Sequence, residues 1–228
     1  MSDEALRIRD RYARRADPVA AYRMVDPAIY MRVQERERAI LRLLGQISTP
    51  LSALTVLEVG CGDGGNLLEL IRMGADPANL AGIELIPARV DAARHRLPAA
   101  TAVVAGDATE VAPPAAAFDI VYQSTVFSSI LDATTRQRLA ARMWALTRPG
   151  GAVLWYDFAV DNPRNPDVRG VRDAELRVLF PAARIRRTRV TLAPPIARLV
   201  TRVHPSLYAI AAAIPWLRTH RICWIQKP

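Results

Sequence analysis

TVLEVGCGDGGN, residues 55–66, is the stretch whose reading decides the fold. The short apolar run Val56, Leu57 and Val59 leads into Gly60, Gly62, Gly64 and Gly65, and GNLLELIRMGA (65–75) then sets Leu67, Leu68 and Ile71 at helical spacing. A strand, a tight turn and a helix follow one another. Outward from there the alternation recurs: NLAGIEL (79–85) into PARVDAARHRL (87–97), ATAVVAGDA (100–108), FDIVYQ (118–123) into TTRQRLAARMWAL (134–146), then GAVLWYDF (151–158). Strands that are apolar along their whole length, alternating with helices, belong to a parallel sheet covered on both faces. The fold class is therefore α/β, doubly wound.

The remainder of the 228 residues flanks that core. Residues 1–45 read as a helical arm that can close as a lid over the carboxyl end of the first strand, and Tyr12 on it is a candidate cofactor contact. Residues 46–228 make the main domain. Near its end, ARIRRTRVTLA (183–193) and RTHRICWIQKP (218–228) read as two more strands, separated by an apolar insert (194–217) that Pro194, Pro195, Pro205 and Pro215 break into short pieces. With 51% hydrophobic and 23% charged residues the chain is neither disordered nor fibrous, and it has no apolar run of about 18 residues. The charged start, MSDEALRIRDRYARR, lacks the apolar core of a secretion signal, so a cytoplasmic address is expected. Cys61 and Cys223 stand alone, which argues against a disulfide framework and a structural zinc site. The charge of +9 is almost all arginine, Lys227 being the sole lysine; it suits an anionic partner or reflects coding bias with equal weight.

Glycines let backbone approach a ligand closely, and the helix start behind them offers free amide donors and positive partial charge. Glu84, about twenty residues on at the end of the second strand, can accept both hydroxyl protons of a ribose. These two signals mean a nucleoside cofactor. Gly60, Gly62 and Gly65 also satisfy the dinucleotide pattern G-x-G-x-x-G, so the turn alone does not choose the nucleoside. Glu58 inside the first strand, Asp63 in the turn and Gly106-Asp107-Ala108 after the third strand do: Asp63 would repel a pyrophosphate but can help to hold an amino group, and Asp107 can accept from an adenine. The ligand expected is S-adenosylmethionine.

Over residues 50–160 the chain resembles the class I S-adenosylmethionine-dependent methyltransferases, through VLEVGCGDGGN, GIEL, AGDAT, FDIVYQSTVFSSI and LTRPGG. The resemblance implies a Rossmann-like, seven-stranded, mostly parallel sheet with a reversed last strand. It implies that Glu58, Gly60, Cys61, Gly62 and Gly64 line the methionine end, Glu84 the ribose, Asp107 and Ala108 the adenine, and that Gln123 and Ser124 face the methyl group. A dehydrogenase fits less well. The short-chain type needs a Tyr with Lys four residues later, and about seventy residues after the fifth strand are too few for a separate catalytic domain.

Methyl transfer needs alignment and exclusion of water rather than a covalent intermediate, but a hydroxyl acceptor must lose a proton. His204, inside the insert, is the candidate base; Tyr156 and Asp157 at the fifth strand's end are the other catalytic candidates, with Asp161 beyond them. His95 lies away from the strand ends and His220 ranks behind His204. Gln123-Ser124-Thr125 occupies the place where a metal-assisted mechanism would want a carboxylate, so no metal is expected. YQSTVF does not match the nucleic-acid amino-methyltransferases, so nucleic acid is not the favoured partner. The expected acceptor is a small or amphiphilic metabolite, methylated on oxygen or nitrogen: a sugar or glycolipid hydroxyl, a phenol or an amine. The insert can roof its pocket or lie against the inner face of a membrane, and two copies can form a homodimer. The second reading is a cofactor-binding or membrane-associated partner subunit without turnover; an RNA methyltransferase and an NAD-dependent oxidoreductase stand behind both.

Overall fold

A computed structural model describes residues 3–14, 23–111, 118–161 and 165–228. Among the described residues, α1 (Asp3–Ala13) and α2 (Pro27–Leu44) precede the sheet. The alternating part follows as β1 (Val56–Val59), α3 (Gly65–Arg72), β2 (Leu80–Glu84), α4 (Pro87–Arg96), β3 (Ala102–Ala105), β4 (Phe118–Ser124), α5 (Ala133–Leu146) and β5 (Thr147–Phe158). The chain ends with α6 (Asp173–Leu179), β6 (Arg184–Leu192), α7 (Pro194–Val203), α8 (Leu207–Ala212) and β7 (Arg218–Gln226). Helix starts carry their own signals. Asp26 accepts the Ala28 N–H at 2.8 Å with Pro27 at the first helical position, and Asp132 accepts that of Thr135 at 2.6 Å.

The seven strands form one sheet in the order β3-β2-β1-β4-β5-β7-β6, parallel except for β7, which runs against both neighbours. The reversed last strand is thus inserted between β5 and β6. Strand order reverses between β1 and β4, where open α/β sheets carry their ligand crevices. β1 and most of β4 are buried on both faces, with Glu58, Asp119 and Gln123 buried among their apolar residues. One face packs Val56, Leu154 and Trp224 against Leu67, Val90 and the Ile40–Leu44 stripe of α2. The other buries Leu57, Val121, Trp155 and Cys223 beneath α5 and α6, with the Trp155 ring 4.4 Å from that of Phe127.

Three features differ from the sequence expectation. β5 begins at Thr147 rather than Gly151, with a register shift opposite Phe118 and Ile120. Helix α6 had no signal strong enough to predict it; seven residues present too few periods. The insert is a helical hairpin, because Pro194 and Pro195 open α7 while Pro215 opens a single tight turn before β7.

Candidate functional site

At the end of β1 the chain turns on Gly60, Gly62 and Gly64, all with positive φ (69°, 57° and 82°). A side chain at Gly60 would meet the Val126 methyl at 2.6 Å and one at Gly64 the Leu97 side chain at 2.8 Å, whereas at Gly62 nothing lies within 4 Å. That open space adjoins the Glu84 carboxylate, which accepts the N–H of Gly62 at 2.8 Å and of Ile86 at 2.9 Å. Glu58 is fully buried; one oxygen accepts from Asn66 at 2.6 Å and the other has no partner. Burial pushes its carboxyl up to about 8, against the pull of Asn66 and Arg36. An unpartnered carboxylate oxygen, an open glycine floor and a second carboxylate at the next strand end fit a cofactor with an amino-acid tail and a ribose.

Other expected cofactor contacts are placed less simply. Cys61 lies in the core against Gly82 and Leu67, and its N–H already donates to Ile83, so it offers the crevice no side chain. Gln123 is also turned inward: its amide accepts from Val126 N and donates to the Tyr156 carbonyl, pinning the β4 turn to β5. Ser124, half-buried, ends β4 on the Glu58 face. Asp107 caps its own turn through Thr109 at 2.9 and 2.8 Å, with Ala108 half-buried beside it. Tyr12 bridges the mouth: its hydroxyl meets Ser129 at 3.2 Å, and the Arg89 guanidinium lies 4.4 Å above its ring. Arg11, bonded to Glu4 and to the Ser129 carbonyl, with Glu4 accepting the Leu131 N–H, fastens α1 there.

The three catalytic candidates do not converge. His204 ends α7 in an exposed turn, its Nδ1 accepting the Ser206 N–H at 3.2 Å. Asp157 points to the opposite face of the sheet from Tyr156, because neighbouring strand residues alternate. There it accepts from Ser128 N and Phe158 N, and burial pushes it up to about 6. Tyr156 does lie at the crevice end of β5, but its hydroxyl is paired with Thr191 at 2.7 Å and burial raises it further, which makes it a poor base. Asp161 is exposed on an outer loop, accepting from Gly170 N. His95 is exposed on α4.

What gathers around Tyr156 instead comes from distant parts of the chain. His220 of β7 stacks on its ring at 4.9 Å and 8°, and meets Phe158 at 3.9 Å. Burial, then Arg32 and Arg36, hold that imidazole down to about 3, so it is neutral. Arg36 of α2 lies 5.6 Å over the Tyr156 ring and is held by both oxygens of Glu69 at 2.7 Å. Arg32, one helical turn earlier, has a buried Nε and no hydrogen-bonding or ion-pairing partner among the described residues. Thr191 adopts φ 68° and Thr125, after β4, φ 58°; β-branched residues in the left-handed region are strained, and such strain collects at functional sites. Among the described residues no group of three His, Cys, Asp or Glu side chains is placed to hold a metal.

Residues 56–151 match the family model described as a methyltransferase domain. A structure of a SAM-dependent methyltransferase from Archaeoglobus fulgidus superposes with a TM-score of 0.60 over 87% of this chain and 99% of that one, at 16% identity. The chain belongs to the class I S-adenosylmethionine-dependent methyltransferases. Within that class it is similar to a trans-aconitate 2-methyltransferase of Paracidovorax citrulli, 33% identical over 209 residues that cover 84% of this chain and 77% of the relative. It matches one of Methylobacterium radiotolerans at 33% identity over 141 residues, which are 61% of this chain and half of that protein.

Proposed function

We propose that this methyltransferase esterifies a carboxylate of a small or amphiphilic organic acid. The observation that carries this is Arg32, a guanidinium without an acidic partner among the described residues, set one turn from Arg36 and acting with it on Tyr156 and His220. Paired guanidiniums suit carboxylates, and two relatives are named for methylating an organic acid. A carboxylate is already ionised at neutral pH, so it needs no general base; a sugar hydroxyl would. This accounts for a crevice whose histidine, held down to about 3, is too weak a base to help, while His204 and Asp157 lie elsewhere.

In this reading the unpartnered Glu58 oxygen takes the ammonium group of S-adenosylmethionine, the backbone from Gly60 to Gly64 underlies its methionine, and Glu84 accepts the ribose hydroxyls. Asp107 and Ala108 lie on the adenine side, and Tyr12 covers the mouth. The cofactor supplies an electrophilic methyl group when bound. The chain's own work is to bind, to orient the acid through Arg32 and Arg36 with the Tyr156 ring as floor, and to exclude water under α1 and the α7–α8 hairpin.

Two measurements test this. In a panel of di- and tricarboxylic acids, phenols, sugars and amines, S-adenosylhomocysteine should be released with the acids, and the methylated product should be cleaved by mild alkali, as esters are. Turnover confined to amines or phenols overturns the acceptor class. The second uses pH. A carboxyl whose free-enzyme value is near 8 is mostly protonated at pH 6, and an ammonium group favours its ionised form. Cofactor affinity should therefore rise by up to roughly tenfold per pH unit from 6 to 8 and then level, with proton release on binding. Glu58→Gln should flatten the profile; a flat wild-type profile removes the ammonium role.

A further inference from the structure

The charge of this chain is not spread along it. All 22 acidic residues precede residue 176, whereas ten of the 31 basic residues follow it, so the last quarter holds essentially the whole positive balance. Within that acid-free stretch lie α7, α8 and the turn Pro215–Leu217. One side of the hairpin is spoken for: Ala197, Tyr208 and Ala212 pack on Leu192 and Ala28, and the Tyr208 hydroxyl donates to Glu35 at 2.6 Å. Its other side is apolar too. Leu199 is 65% exposed, Val203 74%, Ile210 68% and Trp216 82%, with Arg198 and Arg202 exposed beside the first two. A surface helix ordinarily turns polar residues to solvent, and scattered single apolar residues need no explanation, but a helix apolar on both sides within one short hairpin does.

We propose that this hairpin face docks on an anionic lipid bilayer, with Leu199, Val203, Ile210 and Trp216 entering the interface and Arg198 and Arg202 meeting lipid phosphates. The combination of an apolar face, flanking arginines and an exposed tryptophan is that of an interfacial helix pair, and tryptophan prefers the headgroup boundary. No helix among the described residues is long and apolar enough to cross the membrane, so the contact lies in its plane. A second copy of the chain fits this face less well, since a two-fold contact would set Arg198 and Arg202 against their own counterparts with no acidic residue in the hairpin to compensate. The hairpin leaves β6 and enters β7 at the carboxyl end of β5, where Phe158 faces His220, so docking sets the acceptor crevice at the lipid surface. The inference is independent of the acceptor's chemistry.

The test uses the full chain with vesicles of equal parts phosphatidylglycerol and phosphatidylcholine, against phosphatidylcholine alone. Binding should be roughly tenfold or more tighter to the anionic vesicles and should fall by a similar factor in the double variant Arg198→Glu, Arg202→Glu, the effect expected for reversing two interfacial cations. On anionic vesicles the tryptophan emission should shift to the blue, and Trp216→Phe should abolish that shift. Thermal melting of the variants like the wild type separates lost docking from lost folding. Equal binding to both vesicles, or none, overturns the proposal. So does a lipid-free dimer, seen by sedimentation, that Trp216→Ser dissolves, because the occupant is then a second copy.

Discussion

Arg32→Leu is expected to raise the KM for a carboxylic acid acceptor roughly 10- to 100-fold while leaving kcat at saturation within about threefold. That corresponds to losing about 1.5–3 kcal/mol of hydrogen bonding to a charged group. A KM effect without a kcat effect is the signature of binding shared by ground and transition states, which is what an anchoring guanidinium supplies. Arg32 is the cleaner of the two arginines to remove: Arg36 is tied to Glu69 and its loss would strand a half-buried carboxylate, whereas Arg32 leaves no partner behind among the described residues. Cofactor affinity should be unchanged, since Glu58 and Glu84 lie on other elements. Arg32→Lys should recover part of the loss, a point charge replacing a planar fork. Steady-state kinetics with an acid acceptor checks this, and a fall in kcat at constant KM would place Arg32 away from the acceptor.

Arg136→Met is expected to be the most damaging single change to stability. Its side chain is fully buried, with Nε donating to the Ile130 carbonyl at 2.7 Å, Nη1 to Glu175 at 2.7 Å and Nη2 to the Arg169 carbonyl at 2.9 Å. One guanidinium thus ties the loop after β4, the start of α6 and the segment before it. Removing it strands two carbonyls and leaves Glu175 with Arg169 alone, at 2.9 Å. The expected cost is about 3 kcal/mol, the lower end for breaking a buried ion pair, because water reaches the Glu175 side of it. For a domain of this size that lowers the Tm by roughly 6–12 °C. A melting shift below about 2 °C would show that the loops hold without it. The lesion also bears on the site: the 127–131 segment that Arg136 secures receives Arg11, Tyr12 and Glu4 of α1.

The sheet, its order of elements and the cofactor end of the crevice were readable from the chain because each is written in consecutive residues. Val56, Leu57 and Val59 are apolar in a four-residue strand, and Gly60, Gly62 and Gly64 take backbone angles that other residues reach only under strain. The cluster around Tyr156 was legible only in fragments. Tyr156 and Asp157 are both catalytic candidates by their place at the end of the fifth strand, yet the two-residue period of a strand sends them to opposite faces. His204 was preferred to His220 because it sits in an insert, but only the packing of β7 between β5 and β6 shows which histidine stacks on Tyr156. Arg32 and Arg36 carried no distinguishing mark among 31 basic residues.

By itself the sequence determined a doubly wound sheet with a glycine turn flanked by Glu58 and Glu84, since local backbone freedom and apolar runs need no distant partner to be read. The tertiary structure alone decided which side chains meet across the crevice. Residues 32, 156, 191 and 220 become neighbours only when α2 crosses the sheet face and the antiparallel last strand closes beside β5. Contacts between residues so far apart in the chain are set by packing, and no short pattern records them.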